Sequence, residues 1–337
     1  MSETVTAAAG GAGTRGWNQK GWGWQGLLSG LLVLAGAALS WLSASYPADL
    51  PAWAPWEFSW VEYLGTAFAL LWYATGVRRM SPAERPAWWR HLAFGLGIAS
   101  MYAVVQTALT NLALHLFLAT QAQQFVLHDL GPFLVALSWP GAALLRGMPG
   151  PLRRLTGSAP LRGMLRVLQQ PAIAALLFIG LLVAQVIPAL MFRIMLDWRA
   201  FDAMNIVMAV DGVLFWSLVL DPRPRSQAGV SYLTRIALAF LVMLPVMPIG
   251  GYITFTQHSY YGFYDLCGRL LPWISPMLDQ RLGGIIYWIP GGMMSAFAVL
   301  LPLNAMRLSE EREERRLGKR LVQAGQVRID PSAWTGR

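Results

Sequence analysis

Eight stretches of this chain, 24–44, 59–76, 92–115, 121–145, 171–192, 203–220, 232–256 and 282–306, are apolar over close to a membrane-spanning length. A helix needs ~20 such residues to cross the hydrocarbon core. Lipid supplies no hydrogen-bond partners, so a spanning segment must pair its own N–H and C=O groups, which leaves helices or closed barrels. Continuous apolar runs, rather than alternating ones, select helices. A composition of 55% hydrophobic and 13% charged residues, with a mean hydropathy of +0.45, agrees. The expected fold is all-α: a polytopic membrane bundle of eight transmembrane helices over 24–306, between a disordered tail, 1–23, and a charged tail, 307–337.

Charge orients this bundle, because Lys and Arg stay on the cytoplasmic side of short loops. With the N-terminus inside, 22 of the 26 Lys and Arg residues fall on cytoplasmic segments, and only Arg193, Arg199, Arg269 and Arg281 fall opposite. Both termini are therefore expected in the cytoplasm. The same asymmetry explains the net charge of +9, so anionic lipid is the expected partner and nucleic acid is not. The first run is too long for a signal-peptide core and lacks a good cleavage site near Ala44, so it is expected to stay as a span. From Arg307, acids and bases alternate at helical spacing, as in Glu311 and Arg315, which predicts a solvated helix continuing from the last span.

The most informative local segment runs from Asp279-Gln280-Arg281 at the mouth of the last apolar run to Pro290-Gly291-Gly292 within it. Charge at the mouth must stay in the interface, and Pro290 removes a donor that lipid cannot replace. The segment reads as built around a site. Pro245, Pro248, Gly250 and Gly251 interrupt the seventh run in the same way, so both helices are expected to offer unwound backbone to a shared cavity, or simply to kink.

Ionisable groups deep in a span normally face the bundle interior. His128 and Asp129 in the fourth run and Asp211 in the sixth qualify; His128 with Asp211 is either a relay or ligand set, or a polar contact fixing helix packing. Gln106, Asn111, His115, Gln123, Gln124 and Gln185 would share the outer half with them. Soft thioethers suit Cu(I), and Met191/Met195, Met204/Met208 and Met243/Met247 form i,i+4 pairs. Met293 and Met294, directly after the Pro-Gly-Gly, are the methionines most worth testing, against the plainer role of Met as a gap-filler. The lone Cys267 excludes an intrachain disulfide. Aromatics at 46–60 and 260–273 form an interfacial belt. There is no P-loop, no nucleotide-binding glycine fingerprint and no His-Glu-x-x-His, and an enzyme is not expected.

Several motifs together resemble the CtaG-like assembly factors of caa-type cytochrome c oxidases. They are Trp56-Glu57-Phe58, Tyr73-Ala74-Thr75-Gly76-Val77-Arg78-Arg79, Trp88-Trp89-Arg90, Gly212-Val213-Leu214-Phe215-Trp216 and the segment from Asp279-Gln280 to Gly292. The resemblance implies a seven-helix core with one helix added at the N-terminus, location in the bacterial inner membrane, terminal oxidase subunits as partners, and a role in copper-centre maturation. It also implies histidines where this chain has Thr120 and Gln124, a Trp-His-x-Pro motif where it has Gln185-Val186-Ile187-Pro188, and a second histidine pair near Phe201 and Asn205. Amides do not replace imidazole as copper ligands, so these departures argue against a family-type copper site and favour holding an oxidase subunit over handling Cu(I). A permanent accessory subunit of an oxidase, or a transporter using the broken helices, remain open alternatives. The candidate site residues are His128, Met293 and Met294 for metal, with Gln124, Asp129, Asp211, Asp279 and Gln280 as polar groups within the membrane.

Overall fold

The computed structural model describes residues 16–46, 49–56, 58–223, 229–266, 268 and 270–323; Cys267, most of the N-terminal tail and the end of the C-terminal tail lie outside them. Among the described residues every regular element is helical. In chain order these are α1 (Gly16–Ser45), α2 (Trp60–Arg78), α3 (Trp88–Gln106), α4 (Ala108–His115), α5 (Phe117–Gln124), a π-helical turn (Phe125–Leu130), α6 (Gly131–Ser138) and α7 (Gly141–Gly147). The second half contains α8 (Gly150–Thr156), α9 (Ala159–Leu168), α10 (Pro171–Ala184), α11 (Pro188–Met195), α12 (Trp198–Val219), α13 (Tyr232–Phe255) and α14 (Pro276–Gln323).

Among the described residues four helices are long and apolar enough to cross a membrane: those over Trp24–Ser45, Trp198–Val219, Tyr232–Phe255 and Pro276–Leu321. The number reaches six if each of two bent helix pairs counts as one span. Local chemistry causes both bends. At Thr107 the backbone is extended, and its hydroxyl donates to Ala103 O at the end of α3 while accepting from Leu109 N at the start of α4, giving a 59° turn. Gln170 precedes Pro171, which disfavours helical backbone at that residue, and α9 meets α10 at 70°. The fourth apolar run is likewise divided, by the π turn and by Trp139 in the left-handed region (φ 51°) between α6 and α7.

Two expectations fail in the opposite direction. Residues 16–23 are helical rather than tail, because adding a turn to an existing helix avoids the cost of nucleation. Helices α13 and α14 run unbroken through Pro245, Pro248, Pro290 and Pro302. Each proline removes a single hydrogen bond, and α13 and α14 pack along each other within the bundle that accommodates the loss. The unwound backbone expected at Pro290-Gly291-Gly292 is therefore absent. Beyond Arg307 the helix continues as expected to Gln323, and Arg307 pairs with Glu311 at 3.2 Å.

Glycine sets the tightest helix contacts, as in lipid-embedded bundles where small residues let backbones approach. A Cβ on Gly76 of α2 would lie 1.8 Å from Ala143 O, and one on Gly147 would lie 1.8 Å from Trp72 O, so α2 and α7 touch backbone to backbone. One hydrophobic cluster joins α10, α12, α13 and α14 around Phe178, Phe215, Trp216 and Tyr287; another joins α2 and α3 to the π turn around Tyr73, Phe94, Leu127 and Met208. α1 is peripheral. It meets α2 where Gly36 faces Tyr63 and Trp60, and Gln25 Nε2 donates to Gly147 O.

Candidate functional site

The π turn at Phe125–Leu130 lies between the two hydrophobic clusters and carries the buried ionisable pair. Its cause is legible in the chain. Pro132 has no N–H to give the His128 carbonyl four residues earlier, and the indole of Trp216 donates to that carbonyl instead, at 3.2 Å. Gly212 lets α12 approach it, since a Cβ there would sit 2.4 Å from His128 O. Two residues of the Gly212–Trp216 motif therefore act together on one carbonyl. Such π turns occur often at functional sites.

His128 is fully buried. Its Nε2 meets Asp211 Oδ2 at 3.0 Å, and its ring stacks on Phe178 with centroids 4.0 Å apart. One turn away, Gln124 Nε2 donates to Asn205 Oδ1 at 3.0 Å. These two rungs join the π turn and α5 to α12. Gln124 and Asn205 are two of the positions where the resemblance implies histidine, and the fold brings them into direct contact. Thr120 and Phe201, also such positions, are buried, and Thr120 is bonded to Tyr264 Oη at 2.7 Å.

The column continues toward the Tyr261 end of the bundle. Phe117 of α5 stacks on Tyr261, and the Tyr261 hydroxyl donates at 2.7 Å to Val186 O, just past the end of α10. Gln121 lies in α5, and Gln185 directly follows α10. Both are buried. Both Gln121 polar atoms, Gln124 Oε1, Gln185 Oε1 and His128 Nδ1 have no hydrogen-bond partner in the protein. Buried polar groups call for partners, so this amide-rich column suits water or another small polar species.

Asp129, the neighbour of His128, faces another way. It lines a cavity of about 10 Å3 with Leu182, Tyr287, Gly291, Gly292 and Ser295. That is room for about one water molecule. The glycines after Pro290 thus make space opposite a carboxylate rather than a break in the helix.

Asp279 and Gln280 lie elsewhere and act on backbone. Asp279, 2% exposed, accepts from Phe117 N and Leu118 N, each at 2.9 Å. A side chain of α14 thereby supplies the N-terminal cap that Leu116 cannot give α5. Gln280 accepts from Tyr260 N and donates to His258 O, both at 2.8 Å, fastening the α13–α14 connection. Gly283 completes the contact, since a Cβ there would lie 2.3 Å from Phe117 Cδ1.

The methionines do not join the column. Met293 is 56% exposed on the outside of α14, while Met294 packs against the hydrophobic cluster, as does Met195. Met204 and Met208 belong to the other cluster. Among the described residues no group of three or more His, Cys, Asp or Glu is placed to hold a metal ion. Of the remaining expected polar groups, Gln106 and Gln123 are buried, whereas His115 bonds only to Asn111 O on its own helix.

Sequence reasoning missed three polar groups. Glu62 is bonded to Gln106 at 3.3 Å beside Asp202, and Arg235, fully buried in α13, donates to Asp221 O and to Val230 O. Their helical spacing toward the interior was the available signal, but Arg235 read as one more basic residue of a loop.

A family model described as cytochrome c oxidase caa3 assembly factor matches residues 71–307. The match covers every element of the buried column, from α2 to the membrane part of α14. No curated protein and no solved structure matches the chain. With most of its length, including the His128–Asp211 pair and the Asp279 cap, inside that match, the chain belongs to the cytochrome c oxidase caa3 assembly factor family.

Proposed function

We propose that this protein supports assembly of a heme-copper cytochrome c oxidase by holding an oxidase subunit in the membrane while its copper centre matures, without ligating the copper itself. One observation carries the second half of this reading. Where the resemblance implies imidazoles, the Gln124 amide donates to Asn205 Oδ1 across 3.0 Å. Neutral amides are poor copper ligands, and the remaining imidazole nitrogen nearby that has a partner, His128 Nε2, is engaged by Asp211. The family membership carries the first half.

In this reading the chain crosses the bacterial inner membrane eight times, with both termini and most of its arginines in the cytoplasm and the Tyr261 end outside. The bent pair α3–α4 contributes one span and α10 with α11 another, and α2 and the divided α5–α7 stretch supply the other two. The role is non-catalytic: the column and the Asp279 cap keep a rigid surface in place.

Mild-detergent purification of the native protein, followed by identification of bound proteins and metal analysis, tests this. Oxidase subunits without stoichiometric copper are expected. Tight Cu(I) binding after anaerobic loading, lost on H128A or M293L, would refute the non-ligating role. Failure to recover any oxidase subunit, with solute uptake in vesicles instead, would refute the assembly role. A permanent stoichiometric complex with the mature oxidase would make the protein a subunit rather than an assembly factor.

A further inference from the structure

At the end of the bundle opposite Tyr261, the connection between α2 and α3 and the turn between α6 and α7 enclose a pocket of about 400 Å3. Its wall includes Glu84, Arg85, Trp89, Arg90 and Trp139. The single acid in this wall is already occupied. Arg146 binds both Glu84 oxygens, at 2.8 and 3.0 Å. Arg85 and Arg90 have no carboxylate partner among the described residues. Arg90 lies over the Trp89 ring, 5.2 Å from its centroid. The pocket therefore carries two uncompensated guanidinium charges.

Two further features suit an anion. The pocket adjoins the start of α3, whose cap residue Ala87 makes no side-chain bond to the first-turn N–H groups, leaving the positive end of the helix dipole open. Trp139 is the one non-glycine residue with positive φ among the described residues. A bulky residue there costs on the order of 1–2 kcal/mol, and such strain is typical of functional sites. This conformation places a flat aromatic wall against the pocket, with the Arg223 guanidinium 5.4 Å from its ring on one side.

The mouth of the pocket says where the anion comes from. Trp89 continues along α3 as Leu92 and Leu96, at i+3 and i+7, and these are 40%, 53% and 52% exposed. An apolar stripe leads from the charged pocket down the side of the bundle, matching a headgroup with acyl chains below it.

We infer that this pocket binds the phosphate of an anionic lipid headgroup, with Arg85 and Arg90 holding the phosphate oxygens, Trp139 flanking the headgroup and the Trp89–Leu96 stripe taking an acyl chain. The inference is independent of the oxidase assignment. It rests only on the pocket, its charge and the membrane setting.

Native mass spectrometry of the full chain in non-ionic detergent, titrated with phosphatidylglycerol or phosphatidylcholine, tests it. The wild type is expected to prefer phosphatidylglycerol, and R85Q/R90Q to lose roughly tenfold or more of that preference. R85K/R90K, which keeps the charge, retains most of it; R312Q/R316Q, on the far part of α14, retains all of it. Each single glutamine variant should lose part, which keeps the test available if the double variant unfolds. Unchanged lipid preference in folded R85Q/R90Q would overturn the site. Inorganic phosphate that displaces phosphatidylglycerol and binds alone at the same arginines would overturn the lipid as its source, whereas failure of phosphate to compete supports the lipid.

Discussion

Removing the Asp279 carboxylate, in the first turn of α14, should loosen the bundle at the start of α5. In the wild type this one side chain accepts two backbone N–H bonds, from Phe117 and Leu118, each 2.9 Å long, in a setting 2% exposed. A hydrogen bond to a charged group contributes about 1.5–3 kcal/mol, and each buried N–H left unpaired costs about 1–3 kcal/mol. Partial relaxation and water entry recover some of this, so D279A should lose about 3 kcal/mol. D279N keeps one acceptor but turns an NH2 group toward the second N–H, for a loss of about 2 kcal/mol. At about 2–4 °C per kcal/mol for a chain of this size, D279A should melt roughly 6–12 °C below the wild type. Tryptophan fluorescence melting in a fixed detergent would measure both variants. A D279A protein melting within about 2 °C of the wild type, or a D279N protein indistinguishable from it, would show that α5 does not depend on a cap from α14.

Other outcomes follow from the same contacts. H128A leaves Asp211 buried without its partner and should cost about 3–5 kcal/mol; in a double-mutant cycle with D211N the two losses should be strongly non-additive, and simple additivity would dissolve the pair. G212A must push α12 away from His128 O, a backbone atom 2.4 Å from the added Cβ, so it should destabilise more than G251A, whose Cβ meets open space, and the reverse order in melting experiments would contradict the close approach. The Arg146 guanidinium, with help from Ser81, lowers the Glu84 pKa from 4.5 to about 2. A lowered folded-state pKa gives stability that is full above the unfolded value and fades as pH falls toward the folded one. The melting difference between wild type and E84Q should thus be constant near neutrality and shrink between about pH 4.5 and 2; a difference that grows in that window would reverse the sign.

The helical class and most of the apolar runs were readable from hydropathy because lipid permits so few alternatives. The breaks were not. Thr107 ends α3 through its own hydroxyl, and Trp139 turns the chain although it is neither glycine nor asparagine, so neither carried a composition signal. Conversely, the prolines of α13 and α14 looked like interruptions, yet a well-packed neighbour let both helices continue. His128 and Asp211 could be chosen from depth alone, because a buried charge needs a partner. That Asp279 would meet the start of α5 could not, since a cap in trans depends on the tertiary path and leaves no local spacing. The residues aligned with the implied histidines were the most informative departure. Gln124 and Asn205, 81 positions apart, meet in space, a contact that no local spacing could show.

Helix α14 has a mechanical consequence of its own. Its 48 residues, at ~1.5 Å each, make a rod of about 72 Å, more than twice the ~30 Å of hydrocarbon. The charged segment after Arg307 is thus carried as a mast rather than trailing as a tether. Anything that grips the mast is held at a fixed bearing from the bundle without first ordering a flexible linker, and a tilt at the Asp279 foot would be magnified at its tip.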